Sequence, residues 1–151
     1  MLKQYVGRMD GLLDFHLAEA FRRTFATAEW TREAFDIFLE RHLAYWHDDD
    51  FLLPTFLDSH DIDRFLHIAG NDQAALREAA AVQMRLPGPP VIYYGTEVGV
   101  TQEQGRGERI GLEASRGPMR WGDERDTDLL YYYWELIQER RKTKPWETAN
   151  R

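Results

Sequence analysis

No cysteine occurs among the 151 residues, which excludes disulfide staples and thiolate metal or redox chemistry. No apolar run approaches the roughly 20 residues of a membrane span, and the opening residues 1–5 lack the apolar core of a signal peptide. A soluble, cytoplasmic protein is therefore expected. An excess of basic residues is missing too. The net charge of −7 argues against a nucleic-acid or anionic-membrane partner. Internal repeats, low-complexity tracts and heptad runs are also absent. What is present suffices for a core: 43% of residues are hydrophobic and 13% aromatic, which argues against disorder. The length suits one domain of about 100–200 residues, spanning the whole chain.

The chain is organised around residues 52–65. Leu52, Leu53, Pro54, Thr55, Phe56 and Leu57 are mostly apolar and fit no amphipathic helix, so they read as a short buried strand. Asp58-Ser59-His60-Asp61 then breaks the apolar run, which puts His60 and Asp61 just past the strand's carboxyl end. In parallel α/β architectures that edge is where ligands bind and chemistry happens.

On either side, strand and helix patterns alternate. Asp10 to Phe15 reads as a short strand with Asp14 near its end, and Leu17, Ala18, Phe21 and Phe25 then recur at helical spacing. A second helix is predicted from the N-cap Thr31 to Tyr45 or Trp46, with Ala34, Phe35, Phe38, Leu39 and Leu43 as its apolar stripe. Asp48-Asp49-Asp50 reads as a solvated turn rather than a cation site. After the central strand, Gly70-Asn71-Asp72 opens an alanine-rich helix that Pro87-Gly88-Pro89-Pro90 stops. Val91 to Tyr94 is a β-branched and aromatic strand ended by Gly95, followed by a charged loop over residues 96–126. The last helix, about Thr127 to Lys142, stacks Leu130, Tyr133, Trp134 and Ile137 on one side. Such alternation implies parallel β-α units, and three strands make an incomplete sheet.

At this point a resemblance enters. Phe56-Leu57-Asp58-Ser59-His60-Asp61 resembles the motif ending the seventh barrel strand of the α-amylase superfamily, glycoside hydrolase family 13, with Ser59 where Asn is usual. The segment from Pro87 to Glu97 is similar to that family's eighth-strand pattern, Gly-x-Pro-x-Ile-Tyr-Tyr-Gly-x-Glu. Arg116-Gly117-Pro118-Met119-Arg120-Trp121 resembles its Arg-x-Pro-Met-x-Trp loop. Asp10 to Leu17 is a weaker likeness of the sixth strand, with His16 in place of a frequent Pro. The resemblance implies an α/β fold: a partial TIM-type (β/α)8 barrel, about three parallel β-α units corresponding to strands six to eight. A whole barrel takes about 250 residues. The family's aspartate nucleophile and glutamic acid/base lie on the fourth and fifth strands, and no residue here matches them.

Retaining glycoside hydrolysis uses two carboxyl groups about 5–5.5 Å apart and passes through an oxocarbenium-like transition state. A fixed third carboxylate stabilises that positive charge. By resemblance Asp61 is that carboxylate, His60 donates to a hydroxyl of the same sugar, and Arg64 adds a further substrate contact. Tyr93, Tyr94 and Trp121 are sugar-stacking candidates for which burial is the plainer reading. Asp14 reads either as a cleft residue or as a structural acceptor, and Glu97 as a loop anchor. His42 and His47, with Asp48, suggest a metal site, but two helix-end histidines without a fixed third ligand make a weak case. No cofactor is expected; many family members use calcium, but no ligand set is readable here.

The implied substrate is an α-glucan or maltooligosaccharide, with the isolated chain inactive because nucleophile and acid are missing. A second reading is a non-catalytic sugar-binding or assembly module on a truncated barrel. An HD-type metal phosphohydrolase needs further ligands on neighbouring helices, and the other histidines show no such spacing. The open sheet edges of a three-strand remnant also imply a homo-oligomer or a complementing N-terminal half.

Overall fold

Three extended segments lie side by side in a computed structural model that describes residues 2–46, 51–103 and 114–148. The central one contains strand β1 (Thr55–Phe56), paired in parallel with β2 (Pro90–Val91) through Thr55↔Pro90 and Phe56↔Val91. On its other side a parallel bridge joins Gly11 to Leu52. Around that bridge the Leu52 N–H donates to the Asp10 carbonyl at 2.8 Å, and the Asp14 N–H donates to the Pro54 carbonyl at 3.0 Å. A β-carbon on Gly11 would collide with the Leu52 carbonyl, so this close approach requires glycine.

The parallel α/β reading is present, but regular strand is shorter than predicted. Pro54, Pro89 and Pro90 have no N–H to give to a ladder, which confines regular pairing to two residues per strand. The first segment stops at once because the Asp14 carboxylate accepts from the Leu17 N–H at 3.0 Å and caps helix α1 (Phe15–Phe21). Gly95, at φ 84°, turns the chain after β2 in a conformation that disfavours a side chain.

Helices cover one side. Helix α1 runs on into a π turn over Arg22–Ala26, and α2 (Arg32–Trp46) starts where the Thr31 hydroxyl accepts from the Ala34 N–H at 3.2 Å. A single-turn helix α3 (Phe65–Ile68), absent from the sequence reading, follows the central turn. Asp72 caps α4 (Gln73–Arg85) by accepting from the Ala74 and Ala75 N–H groups. Asp126 caps α5 (Thr127–Thr143), and α6 (Pro145–Thr148) closes the described chain. Packing runs α2, α1 with its π turn, α4, α5, so α2 and α5 occupy opposite flanks.

The core lies between α4 and its neighbours: Leu17, Phe21, Phe25, Phe35, Leu57, Phe65, Leu76, Ala79, Ala80, Met84, Leu129 and Tyr133. Two predicted stripes change. Along α2 only Phe35 and Trp46 are buried. On α5 the seam is Leu129 and Tyr133, and Trp134 stands half exposed. Among the described residues no helix is long and apolar enough to cross a membrane. His47 and Asp48-Asp49-Asp50 fall outside the described residues.

Candidate functional site

Beyond β1 the chain passes through buried Asp58 and Ser59 and then turns outward at His60 and Asp61. The two side chains are 57% and 50% exposed, enough to meet a ligand. They also meet each other, His60 Nε2 lying 3.3 Å from Asp61 Oδ2. The second carboxylate oxygen of Asp61 faces the Arg116 guanidinium at 3.9 Å. Asp61 thus presents a carboxylate toward solvent with a ring nitrogen and a cation flanking it.

The base of this turn is stapled. Asp58 accepts from the Phe65 N–H with one carboxylate oxygen, closing residues 58–65 into a loop. Its other oxygen accepts from the Thr96 hydroxyl at 2.7 Å, which ties the loop to the segment after β2. The Ser59 hydroxyl accepts from the Asp61 N–H at 3.1 Å and fixes the turn itself. The Ser115 hydroxyl donates to the His60 carbonyl at 3.3 Å.

Arg64 is the interior anchor. It is wholly enclosed, 0% exposed, and its Nη1 donates to the Tyr94 carbonyl at 2.7 Å while Nε donates to the Ser115 carbonyl at 3.0 Å. Its guanidinium carbon sits 4.2 Å from the Tyr93 ring centre and 4.8 Å from that of Tyr94. The Asp58 carboxylate lies 3.9 Å away. The side chain therefore joins the loops on which Asp61 and Arg116 ride and presents no surface to a ligand. Burial pushes the Asp58 carboxyl above its ordinary range, against the pull of its two hydrogen bonds and of the Arg64 and Arg22 charges. Burial likewise pushes the Tyr93 phenol up, helped by Tyr94.

Other candidates separate. Asp14 is buried, and besides capping α1 it holds His42 at 2.7 Å, which makes it structural. The Tyr94 hydroxyl donates to the Gly117 carbonyl at 2.6 Å, and Trp121 is 70% exposed beside that loop. No group of three metal-ligating side chains occurs among the described residues. Reading the sequence missed Arg116 as a neighbour of Asp61 and Asp58 as its internal staple. For Asp58 the available signal was a carboxylate directly after an apolar run.

A family model described as "Alpha amylase, catalytic domain" matches residues 2–146. Alpha-amylase 2 of Dictyoglomus thermophilum is 33% identical over 142 residues, covering 92% of this chain and 25% of that protein. Neopullulanase 2 of Thermoactinomyces vulgaris is 34% identical over 137 residues, covering 89% of this chain and 22% of that protein. Among solved structures, a cyclomaltodextrinase superposes with a TM-score of 0.78 at 28% identity, over 89% of this chain and 22% of that chain. The chain thus spans about a quarter of the length of the relatives it matches.

Proposed function

This chain belongs to the alpha-amylase catalytic-domain family, and from that premise we propose that it contributes strands six to eight of an α-glucan-active retaining glycosidase or transglycosidase barrel. The observation that carries the reading is the His60–Asp61 pair, half exposed just past the carboxyl end of β1 on a loop stapled from beneath.

In this reading Asp61 grips sugar hydroxyls in the ground state and faces the positive charge that develops at the anomeric carbon in the transition state. A fixed carboxylate there costs no reorganisation when the charge appears, the condition under which electrostatic stabilisation is largest. His60 donates to a hydroxyl of the same sugar. Arg64 is assigned a positioning role in place of the sugar contact expected from sequence, because the whole side chain is enclosed, with Nη1 and Nε on the carbonyls of Tyr94 and Ser115. The nucleophile and general acid, about 5–5.5 Å apart in a retaining site, have no counterpart here. The isolated chain therefore binds α-glucans without hydrolysing them, and turnover needs a complementing barrel portion.

Titrating the chain with maltoheptaose, followed by backbone amide NMR shifts, tests this. The expected result is saturable shifts clustered at residues 59–64 and 114–121. Asp61→Ala should weaken binding about tenfold, as for the loss of a hydrogen bond to a charged group. Binding that Asp61→Ala leaves unchanged would remove the assignment. Binding that persists without turnover after a complementing barrel portion is supplied would favour the non-catalytic sugar-binding module.

A further inference from the structure

The segment after β2 is held rigid before it meets the loop that carries Asp61. The Gly95 carbonyl accepts from the N–H groups of Val98 and Val100 at 3.1 and 2.8 Å, and the Val98 carbonyl accepts from the Asp126 N–H. Thr96, Val98 and Val100 are all buried. Two residues beyond Val100 stands Gln102, a neutral amide only 7% exposed. An enclosed amide has one acceptor oxygen and two donor hydrogens to satisfy, so its partners show what it holds.

Those partners lie on the limb of the site loop that follows Asp61. Gln102 Oε1 accepts from the Arg64 N–H at 2.8 Å, and Nε2 donates to Asp63 Oδ1 at 2.5 Å. Only one orientation of the amide serves both, because an N–H needs an oxygen and a carboxylate needs a donor. The Gln102 backbone carbonyl accepts from His67 at 3.1 Å, which puts the imidazole proton on Nδ1 and ties the same residue to α3. From the π turn after α1, Arg22 donates to the Asp63 carbonyl at 2.8 Å. Residues 63 and 64 are thus clamped by two separate elements, two and three positions past Asp61.

We propose that Gln102 is a positioning residue for Asp61: by holding the Arg64 N–H and the Asp63 carboxylate together, it keeps loop 58–65 in the conformation that binds sugar. This rests on the α-glucan reading above and assigns part of the affinity to an enclosed side chain outside the His60–Asp61 pair. The Asp58 staple closes the loop and Ser59 fixes its turn, while Gln102 fastens that closed loop to the segment after β2. A loop already ordered has less freedom to lose when the sugar arrives. Without the amide, the wholly buried Arg64 loses the acceptor of its N–H, and the loop shifts to recover one. Glutamate replaces the amide only conditionally. Ionised, it can accept from Arg64 but meets the Asp63 carboxylate with like charge; protonated, it accepts with one oxygen and donates with the other. The charged or titratable groups around it are Asp63 and Arg64 on the loop, Arg22 on the π turn and His67 on α3.

The whole chain is tested as wild type, Gln102→Ala and Gln102→Glu, at a temperature where circular dichroism shows them folded. Amide hydrogen exchange without sugar reads the clamp. The Arg64 N–H should exchange about tenfold faster in Gln102→Ala, while that of Tyr133 in the α5 seam stays as in wild type. Titration with maltoheptaose reads the consequence. Affinity should fall about tenfold in Gln102→Ala. In Gln102→Glu it should be weak at about pH 8 and approach that of wild type toward about pH 5, as the facing carboxyls take up a proton. An amide with a purely structural role would lower the melting temperature and leave the affinity of the folded protein unchanged. That outcome overturns the proposal, as do unchanged Arg64 exchange and a Gln102→Glu deficit that does not vary with pH. If Gln102→Ala does not fold, the pH comparison of Gln102→Glu decides. A wild type that does not bind maltoheptaose overturns the α-glucan reading and the assignment resting on it, and the Arg64 exchange then tells that failure from a failure of the clamp.

Discussion

Three aspartates show how one side chain takes three roles from its surroundings. Asp61 is half exposed beside His60 and Arg116, and available to a ligand. Asp58, three residues earlier, is sealed under Thr96 and the Phe65 N–H, and burial moves its carboxyl upward. Asp126 caps α5, and the bond from the Leu129 N–H at 2.8 Å moves its carboxyl downward. The last case yields a pH prediction. A carboxylate whose folded pKa is depressed contributes stability above its unfolded value, here 3.8, and loses it as pH falls through the folded value. Asp126→Ala should therefore cost about 1 kcal/mol near neutrality, and the gap from wild type should close below about pH 3.8. Urea titrations of both proteins at several pH values measure this; a gap constant down to pH 2 would contradict it. Of these residues, sequence singled out Asp61, through its motif, and left Asp126 as the edge of a loop. Asp58 and Arg64 were not legible as a buried staple, because burial of polar groups depends on partners distant in sequence, here Tyr94, Thr96 and Ser115.

Elements divide by how local their causes are. Helices α2, α4 and α5 were legible because their signals are local: caps at Thr31 and Asp72, proline stops after α4, and the apolar period of α5. Helix α3 was not, since a single turn carries too few residues for a period to register. Strand lengths were over-read because prolines allow an extended backbone while withholding its hydrogen bonds. On α5 Tyr133 is buried and Ile137 packs against the core as expected, whereas Leu129 takes the seam in place of Leu130 and Trp134 is half exposed. Two long-range devices then lock helix to strand. Gln83 of α4 reaches the Thr55 carbonyl of β1 at 2.9 Å. Arg140 of α5 donates to the carbonyls of Met84 and Leu86 at 2.9 and 2.6 Å, and to those of Pro87 and Gly88. Arg140 thus satisfies the open carbonyl end of α4 and fixes the turn into β2. Arg140→Ala should cost about 2–3 kcal/mol, since it leaves buried carbonyls without partners. Arg140→Lys should recover less than half of that, because one ammonium cannot reproduce the fork. Denaturant midpoints of the two variants decide it, and an alanine variant as stable as wild type would refute the clamp.

For the whole molecule, the described apolar core gathers into one cluster. Helices cover one side of the extended segments, while Leu13, Leu52 and Val91, in or beside those segments, stay 43%, 56% and 42% exposed. The apolar burial available is therefore concentrated where α1, α2, α4 and α5 meet, and much of it centres on aromatic rings. Phe21 has no exposed surface and holds Phe25 and Phe35 at ring distances of 5.6 and 5.3 Å. Those two rings also meet edge to face at 5.3 Å, so the three form one closed cluster between α1, its π turn and α2. Removing the central ring leaves a cavity that rigid neighbours on three elements cannot collapse to fill. A Phe→Ala change in a core costs about 3–5 kcal/mol. A domain's whole stability is about 5–15 kcal/mol, so that loss is a large share of it. Phe21→Ala should therefore leave the chain largely unfolded at 37 °C, whereas Trp134→Ala, at a half-exposed position of α5, should shift its melting by only a few degrees. Thermal melts followed by near-ultraviolet circular dichroism distinguish the two, and a cooperative, near-native melt for Phe21→Ala would show that the stability is carried elsewhere than in this cluster.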